Sequence, residues 1–244
     1  MIFLILLILL IITVIVLIIK QLTLSNFNEV DNKKLPSIAL ITEHFIHKDI
    51  NRYSEIVKSI NSNDKNPLIS KIYLLNENKN NKFKGSDKII NVPTNKRTTF
   101  KEAFEFANIL PKGTIAIISN NDISFDETLT KLYDVNLDNT VICLGRRHYN
   151  NDKKFEYFIK YGWSQDSWIF KTPIRVPEES NFYFGTNGCD HHIAYLLKQE
   201  GYDLINLAYD IKALHHHKSK VRNWVNKSSD YKKLLIKPVK METI

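Results

Sequence analysis

The sequence predicts an α/β domain with a mainly parallel sheet and helices on both faces, carried behind one N-terminal transmembrane helix. Three observations predict it. The stretch Ile2–Ile19 is apolar at every position except Thr13, and no charge precedes Lys20. Residues 38–119 alternate short apolar runs with helix-spaced ones in the order β-α-β-β-α-β, the pattern of parallel strands joined by crossovers. Thr114–Ser119 is almost continuously apolar, as expected of a strand covered on both faces.

The apolar run comes first. At about 1.5 Å per residue it makes a helix of roughly 27 Å, close to the hydrocarbon thickness of a bilayer. A cleaved signal peptide would carry a basic leading region, a shorter apolar core and small residues at its end. No Lys or Arg precedes this run, and Lys20-Gln21-Leu22-Thr23 follows it. Residues 1–20 therefore read as a membrane anchor and 21–36 as a polar stem. Lys20, Lys33 and Lys34 all follow the span, so the positive-inside rule would keep the domain cytosolic.

Ile38–Ile41 reads as the first strand. Tyr53, Ile56, Val57 and Ile60 give helical spacing to Arg52–Asn61. Ile69–Leu75 is a second strand, Asn76–Asp87 an exposed loop, and Lys88–Val92 a third strand. Thr99 caps a helix that carries Phe100, Phe104 and Ala107 on one face. Later, Thr140–Leu144 and Ser167–Phe170 read as strands, Cys189–Glu200 as a helix closed by Gly201, and Tyr202–Leu214 as one or two strands. The domain is expected over 37–226, with a basic tail at 227–244.

Two cysteines, Cys143 and Cys189, imply no disulfide framework. The net charge of +8 is local: Lys212–Lys240 holds nine Lys/Arg and one acid, Asp230, so the remainder is neutral. A basic end suits contact with phosphate or an anionic surface. Its few interleaved aromatics (Trp224, Tyr231) argue against nucleic acid.

Four segments could carry chemistry. Ser119-Asn120-Asn121-Asp122-Ile123-Ser124-Phe125-Asp126 puts acids at the end of an apolar strand, where ligands of parallel sheets bind. Asp122 could hold a divalent cation there; equally, Asn and Asp suit a turn, and Asp126 a helix cap. Gly162-Trp163-Ser164-Gln165-Asp166-Ser167-Trp168 joins aromatic faces to a carboxylate, as a sugar site would, or is simply core beside a surface acid. Gly185-Thr186-Asn187-Gly188-Cys189-Asp190 places Asp190 at a helix start, as a general base or as a charge favoured by the helix dipole. In a strand, His215 and His217 would share a face, and with Lys218 and Arg222 could meet metal and phosphate. Zinc shared with Cys189, His191 and His192 is conceivable, but no ligand spacing supports it.

Taken together, these segments resemble a family of GT-A-like glycosyltransferases and uncharacterised relatives. Its series is a Ser-Asp-Ile-x-Phe-Asp strand end, Ser-Gln-Asp-x-Trp-Ile-Phe, Gly-x-x-Gly-Cys-Asp and His-x-His-x-Ser-x-x-Arg-Asn-aromatic. Here these stand at Asn121–Asp126, Ser164–Phe170, Gly185–Asp190 and His215–Trp224, within a match running from about Arg97 to Trp224. The resemblance implies a GT-A-like, Rossmann-like fold and a membrane-anchored glycosyltransferase. Such an enzyme moves a sugar from a nucleotide-diphosphate donor to a hydroxyl on a glycan, protein or lipid. It implies Mn²⁺ or Mg²⁺ on Asp122 with His217 or His215, donor contacts from Arg97, Asn120, Asp122, Lys218 and Arg222, and, for an inverting rather than a retaining reaction, Asp190 as base, with Asp166 the second candidate. Secretory-pathway enzymes of this kind face the lumen, against the lysine count. One departure matters: the usual acid-x-acid metal motif is Asn120-Asn121-Asp122, its first acid replaced. That leaves room for an inactive homologue. A further alternative is a tethered binding protein that holds anionic lipid or nucleic acid through its basic segment.

Overall fold

A computed structural model describes residues 35–149, 155–157, 164–219, 221 and 231–243. The expected membrane helix at 2–19, most of the stem, Trp163, Arg222 and Trp224 lie outside the described residues. Among the described residues no helix is long and apolar enough to cross a membrane. Pro36–Ile244 forms one compact unit.

Its sheet runs β3-β2-β1-β4-β8-β6-β10-β5, with β7 and β9 also paired to β6. The strands are β1 (Ile38–His44), β2 (Ile69–Asn76), β3 (Ile89–Pro93), β4 (Ile115–Ser119), β5 (Ile123–Phe125), β6 (Thr140–Tyr149), β7 (Phe155–Tyr157), β8 (Gln165–Lys171), β9 (Asp203–Ile205) and β10 (Ala213–His215). The helices are α1 (Ile50–Lys65), α2 (Phe100–Asn108) and α3 (Cys189–Gln199). A 3₁₀ turn spans Glu127–Asp134.

The first half is parallel as expected, β1 pairing β2 and β4, and β2 pairing β3. The expectation of a mainly parallel sheet fails beyond β4: the sheet is mixed. β8 runs antiparallel to both β4 and β6, and β5 antiparallel to β10. β8 follows β6 through the short strand β7 and returns between β6 and β4, antiparallel to both. β9 and β10, reached from β6 across α3, pair with it in parallel, as the long crossover a parallel neighbour needs allows.

Helices cover both faces. Ile38, Leu40, Ile115 and Ile117 pack with Ile56 and Ile60 of α1 and with Leu129 and Leu132. The alternate residues Ile41, Ala116 and Ile118 pack with Phe100 and Phe104 of α2 and Ile193 and Leu197 of α3. This two-sided burial is why β1 and β4 read as unbroken apolar runs. Thr99 closes a capping box with Glu102, fixing where α2 begins. Asp49 caps α1, two residues ahead of the expected start, by accepting from Arg52 N at 2.9 Å.

β6 continues to Tyr149, past the expected end at Leu144, and changes partners at Gly145. Up to Gly145 it pairs β8 and β9; beyond it, β10 and β7. A side chain at Gly145 would meet Asn206 Nδ2 and the Ser164 carbonyl at 3.3 Å each, so glycine lets the backbone pass closely where the partners change. The described part of the expected tail, 231–243, lies on the domain: Val239 N donates to the Asn206 carbonyl at 2.8 Å, and Tyr231 stacks on His192 with centroids 4.6 Å apart.

Candidate active site

The end of β4, the start of β8, the far half of β6, the first turn of α3 and the segment after β10 meet at one edge of the sheet. Antiparallel pairing makes this possible: β4 arrives at the edge where β8 departs, Ser119 standing opposite Ser167. Three carboxylates gather there, and their surroundings differ sharply.

Asp122 is 4% exposed. Its Oδ2 lies 2.7 Å from Arg52 Nη2, 3.1 Å from His215 Nε2 and 3.6 Å from His217 Nδ1. Burial alone would push this carboxyl up, but His215, His217 and Arg52 outweigh it and hold Asp122 well below the usual carboxylate range. β10 ends at His215, so the two histidines do not share a strand face as expected. The chain after β10 nonetheless brings both onto Asp122, and His216 N donates to the Asp122 carbonyl at 2.9 Å. His217 Nε2 is buried without a hydrogen-bond partner.

Two residues of α1 that the sequence did not single out complete this corner. Arg52 bridges Asp122 and Glu55, reaching Glu55 Oε2 at 2.9 Å. Glu55 Oε1 accepts from the backbone N–H groups of Lys218 and Ser219, both at 2.6 Å. Burial raises the Glu55 carboxyl, but the Ser219 N–H, Arg52 and the Lys218 N–H more than offset it, and its pKa is lowered. The segment carrying His217 is therefore clamped to α1. Arg52 and Glu55 stand three apart on one helix after the first strand, the only signal the sequence offered.

Asp166 is spoken for. Its Oδ1 accepts from Asn120 Nδ2 and Arg146 Nη1, both at 2.8 Å, and its Oδ2 from Ser164 Oγ at 2.5 Å. Burial works against ionisation, yet Arg146 and His215 prevail and its pKa is lowered. Asn120 is thus a partner of Asp166. Arg146 Nε also reaches His148 Nε2 at 3.1 Å, and His148 Nδ1 faces His215 Nδ1 at 3.2 Å. This chain of contacts joins the Asp166 corner to the Asp122 corner. Arg146 and His148 were missed because they follow a strand that was expected to stop at Leu144.

Asp190 differs again. It is the second residue of α3, whose N-cap Gly188 adopts φ 83° and supplies no capping side chain. Asp190 Oδ2 accepts from Gln165 N at 3.3 Å and lies 3.9 Å from His191 Nε2. Burial, with Asp166 adding repulsion, raises its pKa despite His191. The adjacent Gln165 amide is buried with neither its oxygen nor its nitrogen paired.

The remaining candidates fall elsewhere. Arg97 donates to the Phe184 carbonyl and lies over the Tyr183 ring at 5.0 Å. Asp126 caps the 3₁₀ turn, accepting from Thr128 N at 3.0 Å, and pairs with Lys212 at 3.2 Å. Trp168 is core, edge-on to Phe100 at 4.7 Å. Among the described residues Asp122, His215 and His217 form the one group able to hold a metal ion; Cys189, His191 and His192 take no part in it. Its donor set fits: ligands each about 2.1 Å from one ion lie roughly 3.0–3.5 Å apart, close to the separations seen at Asp122 Oδ2.

The fold is similar to that of a solved mannosyltransferase from Pyrobaculum calidifontis, determined with GDP-mannose and Mn²⁺: TM-score 0.50 and 12% identity, over 77% of this chain and 59% of that one. The chain thus spans about three-fifths of that enzyme's length. Two further solved structures match at lower TM-scores, both at 11% identity. The 4-diphosphocytidyl-2C-methyl-D-erythritol synthase of Anaerococcus prevotii gives 0.41 over 72% of this chain and 92% of that one. The 2-C-methyl-D-erythritol 4-phosphate cytidylyltransferase of Francisella tularensis gives 0.42 over 78% and 94%. No family model matches the sequence, and no curated protein does. The likeness to the mannosyltransferase gives the fold: a GT-A-like mixed α/β sheet with helices.

Proposed function

We propose that this chain is a membrane-anchored glycosyltransferase that moves a sugar from a nucleotide-diphosphate donor to a hydroxyl acceptor. The observation that carries the reading is the opposed environment of two neighbouring carboxyls. Asp166 is held ionised by Arg146, whereas Asp190 is raised toward the range in which a carboxylate accepts a proton readily. Asp190 takes the proton of the acceptor hydroxyl as that oxygen attacks the anomeric carbon. The bond to the donor diphosphate breaks, the nucleoside diphosphate departs, and configuration inverts. Asp166 keeps Arg146 and Asn120 in place.

Asp122, His215 and His217 would hold Mn²⁺ or Mg²⁺, which supplies charge neutralisation for the diphosphate. Lys218 and Arg222 belong to the same basic stretch and contact phosphate in this reading. Ile2–Ile19 anchors the chain in a membrane, which suits an acceptor on a glycan, protein or lipid there.

One observation favours a second reading, an inactive homologue: Asn120 stands where a metal-binding acid is usual, and its amide is engaged with Asp166. A screen of UDP- and GDP-sugars against the full chain separates the two. Mn²⁺-dependent turnover of one donor, lost in Asp122→Ala, supports transfer. Absence of binding to every donor favours the inactive homologue.

A further inference from the structure

We infer that Arg52 and the divalent cation are alternative occupants of Asp122 Oδ2, so that Arg52 sets how tightly the site takes up its metal. The inference rests on the metal-dependent reading above.

The geometry is specific. Arg52 Nη2 sits 2.7 Å from the same oxygen atom that His215 and His217 approach. That corner holds one carboxylate among the candidate ligands, and Arg52 already neutralises it. A dication arriving there meets a half-buried guanidinium at contact range, on an oxygen that cannot balance both. A lysine in this place could shed its proton; arginine cannot. The guanidinium must therefore withdraw. It has somewhere to go, because its other nitrogen stays on Glu55 Oε2 at 2.9 Å. Glu55 also holds the backbone of Lys218 and Ser219, so His217 keeps its place while Arg52 swings. Occupancy of the metal site is thus weakened by a positive charge built into α1, and relieved by anything that draws the guanidinium off.

The test is a titration of the full chain with Mn²⁺ alone, reading free ion by its paramagnetic resonance signal, so no activity is needed. Arg52→Gln keeps a polar side chain on α1 but removes the charge, and binds Mn²⁺ about tenfold tighter. Arg52→Met, likewise uncharged, does the same. A folded Arg52→Gln protein with unchanged or weaker affinity overturns the inference. Should Arg52→Gln fail to fold, unchanged or weaker affinity in Arg52→Met overturns it. Asp122→Asn separates the two levels: equal affinities in wild type and Arg52→Gln that vanish in Asp122→Asn sink the role of Arg52 alone. Binding that survives Asp122→Asn, or is missing in wild type and Arg52→Gln alike, sinks the metal-dependent reading with it.

Discussion

Asp166 and Asp190 repel one another across the start of β8, yet it is Asp166 that pairs directly with a guanidinium, Arg146 at 2.8 Å. Asp190 has backbone contacts from Gln165, at 3.3 Å, and His191, whose ring lies 3.9 Å away. The pair therefore divides into a fixed anion and a carboxyl that takes and releases protons at higher pH.

The first expectation concerns rate. Asp190→Asn removes turnover, by at least two to three orders of magnitude, while donor binding persists. In the wild type, activity climbs as pH rises through a pKa above the ordinary aspartate range, because a base must be ionised to act. A pH–rate profile checks this, and a flat profile from pH 4 upward contradicts it.

Stability should separate the same two residues. Asp166→Asn leaves the largely buried Arg146 without its carboxylate, and costs about 3 kcal/mol. Asp190→Asn removes a carboxyl whose charge the fold disfavours, so its melting temperature stays level or rises at neutral pH. Thermal unfolding of both variants is the measurement.

Glu55→Ala strips the acceptor from two backbone N–H groups and frees Arg52 from its second carboxylate. A loss of about 2 kcal/mol is expected, together with weaker Mn²⁺ binding as His217 loses its support. Unchanged unfolding in urea would show that the clamp contributes nothing.

Glu43, at the end of β1, supplies a pH test remote from Asp190. Burial raises its carboxyl to about 8, with Glu77 adding to the shift and Arg97 opposing it. The unfolded chain releases this proton near pH 4.5, so between there and about pH 8 the native state binds more protons. Stability contributed by this group therefore falls as pH rises across that window. Glu43→Gln should raise the melting temperature more at pH 8 than at pH 5.

The parallel half of the fold was legible because β1 and β4 are buried on both sides and spell this out in Ile, Leu and Ala, while β2 keeps Ile69, Ile72, Leu74 and Leu75 buried. β5 was not, since three residues inside an Asn/Asp-rich segment look like a turn. The far end of β6 was hidden by its own chemistry: Arg146 and His148 face Asp166 and His215, and a strand that turns polar reads as finished. Asp122, Asp166, Asp190, His215 and His217 could be named because each sits at the edge of an apolar run or a glycine turn. Their partners could not. Arg52 lies 70 residues from Asp122, and Glu55 lies 163 from Lys218; nothing local on an amphipathic helix announces such a distant contact.

That distance has a consequence for how the molecule is made. A ribosome releases α1 and β4 long before residues 215–219, and non-local contacts are the slow ones to form. A chain interrupted at residue 210 can build the parallel half of the sheet and bury its apolar faces. It cannot bring two imidazoles to Asp122 or give Glu55 its backbone partners. The Asp122–His215–His217 corner is therefore among the last parts of the molecule to be assembled, and its presence distinguishes a finished fold from one that is merely compact.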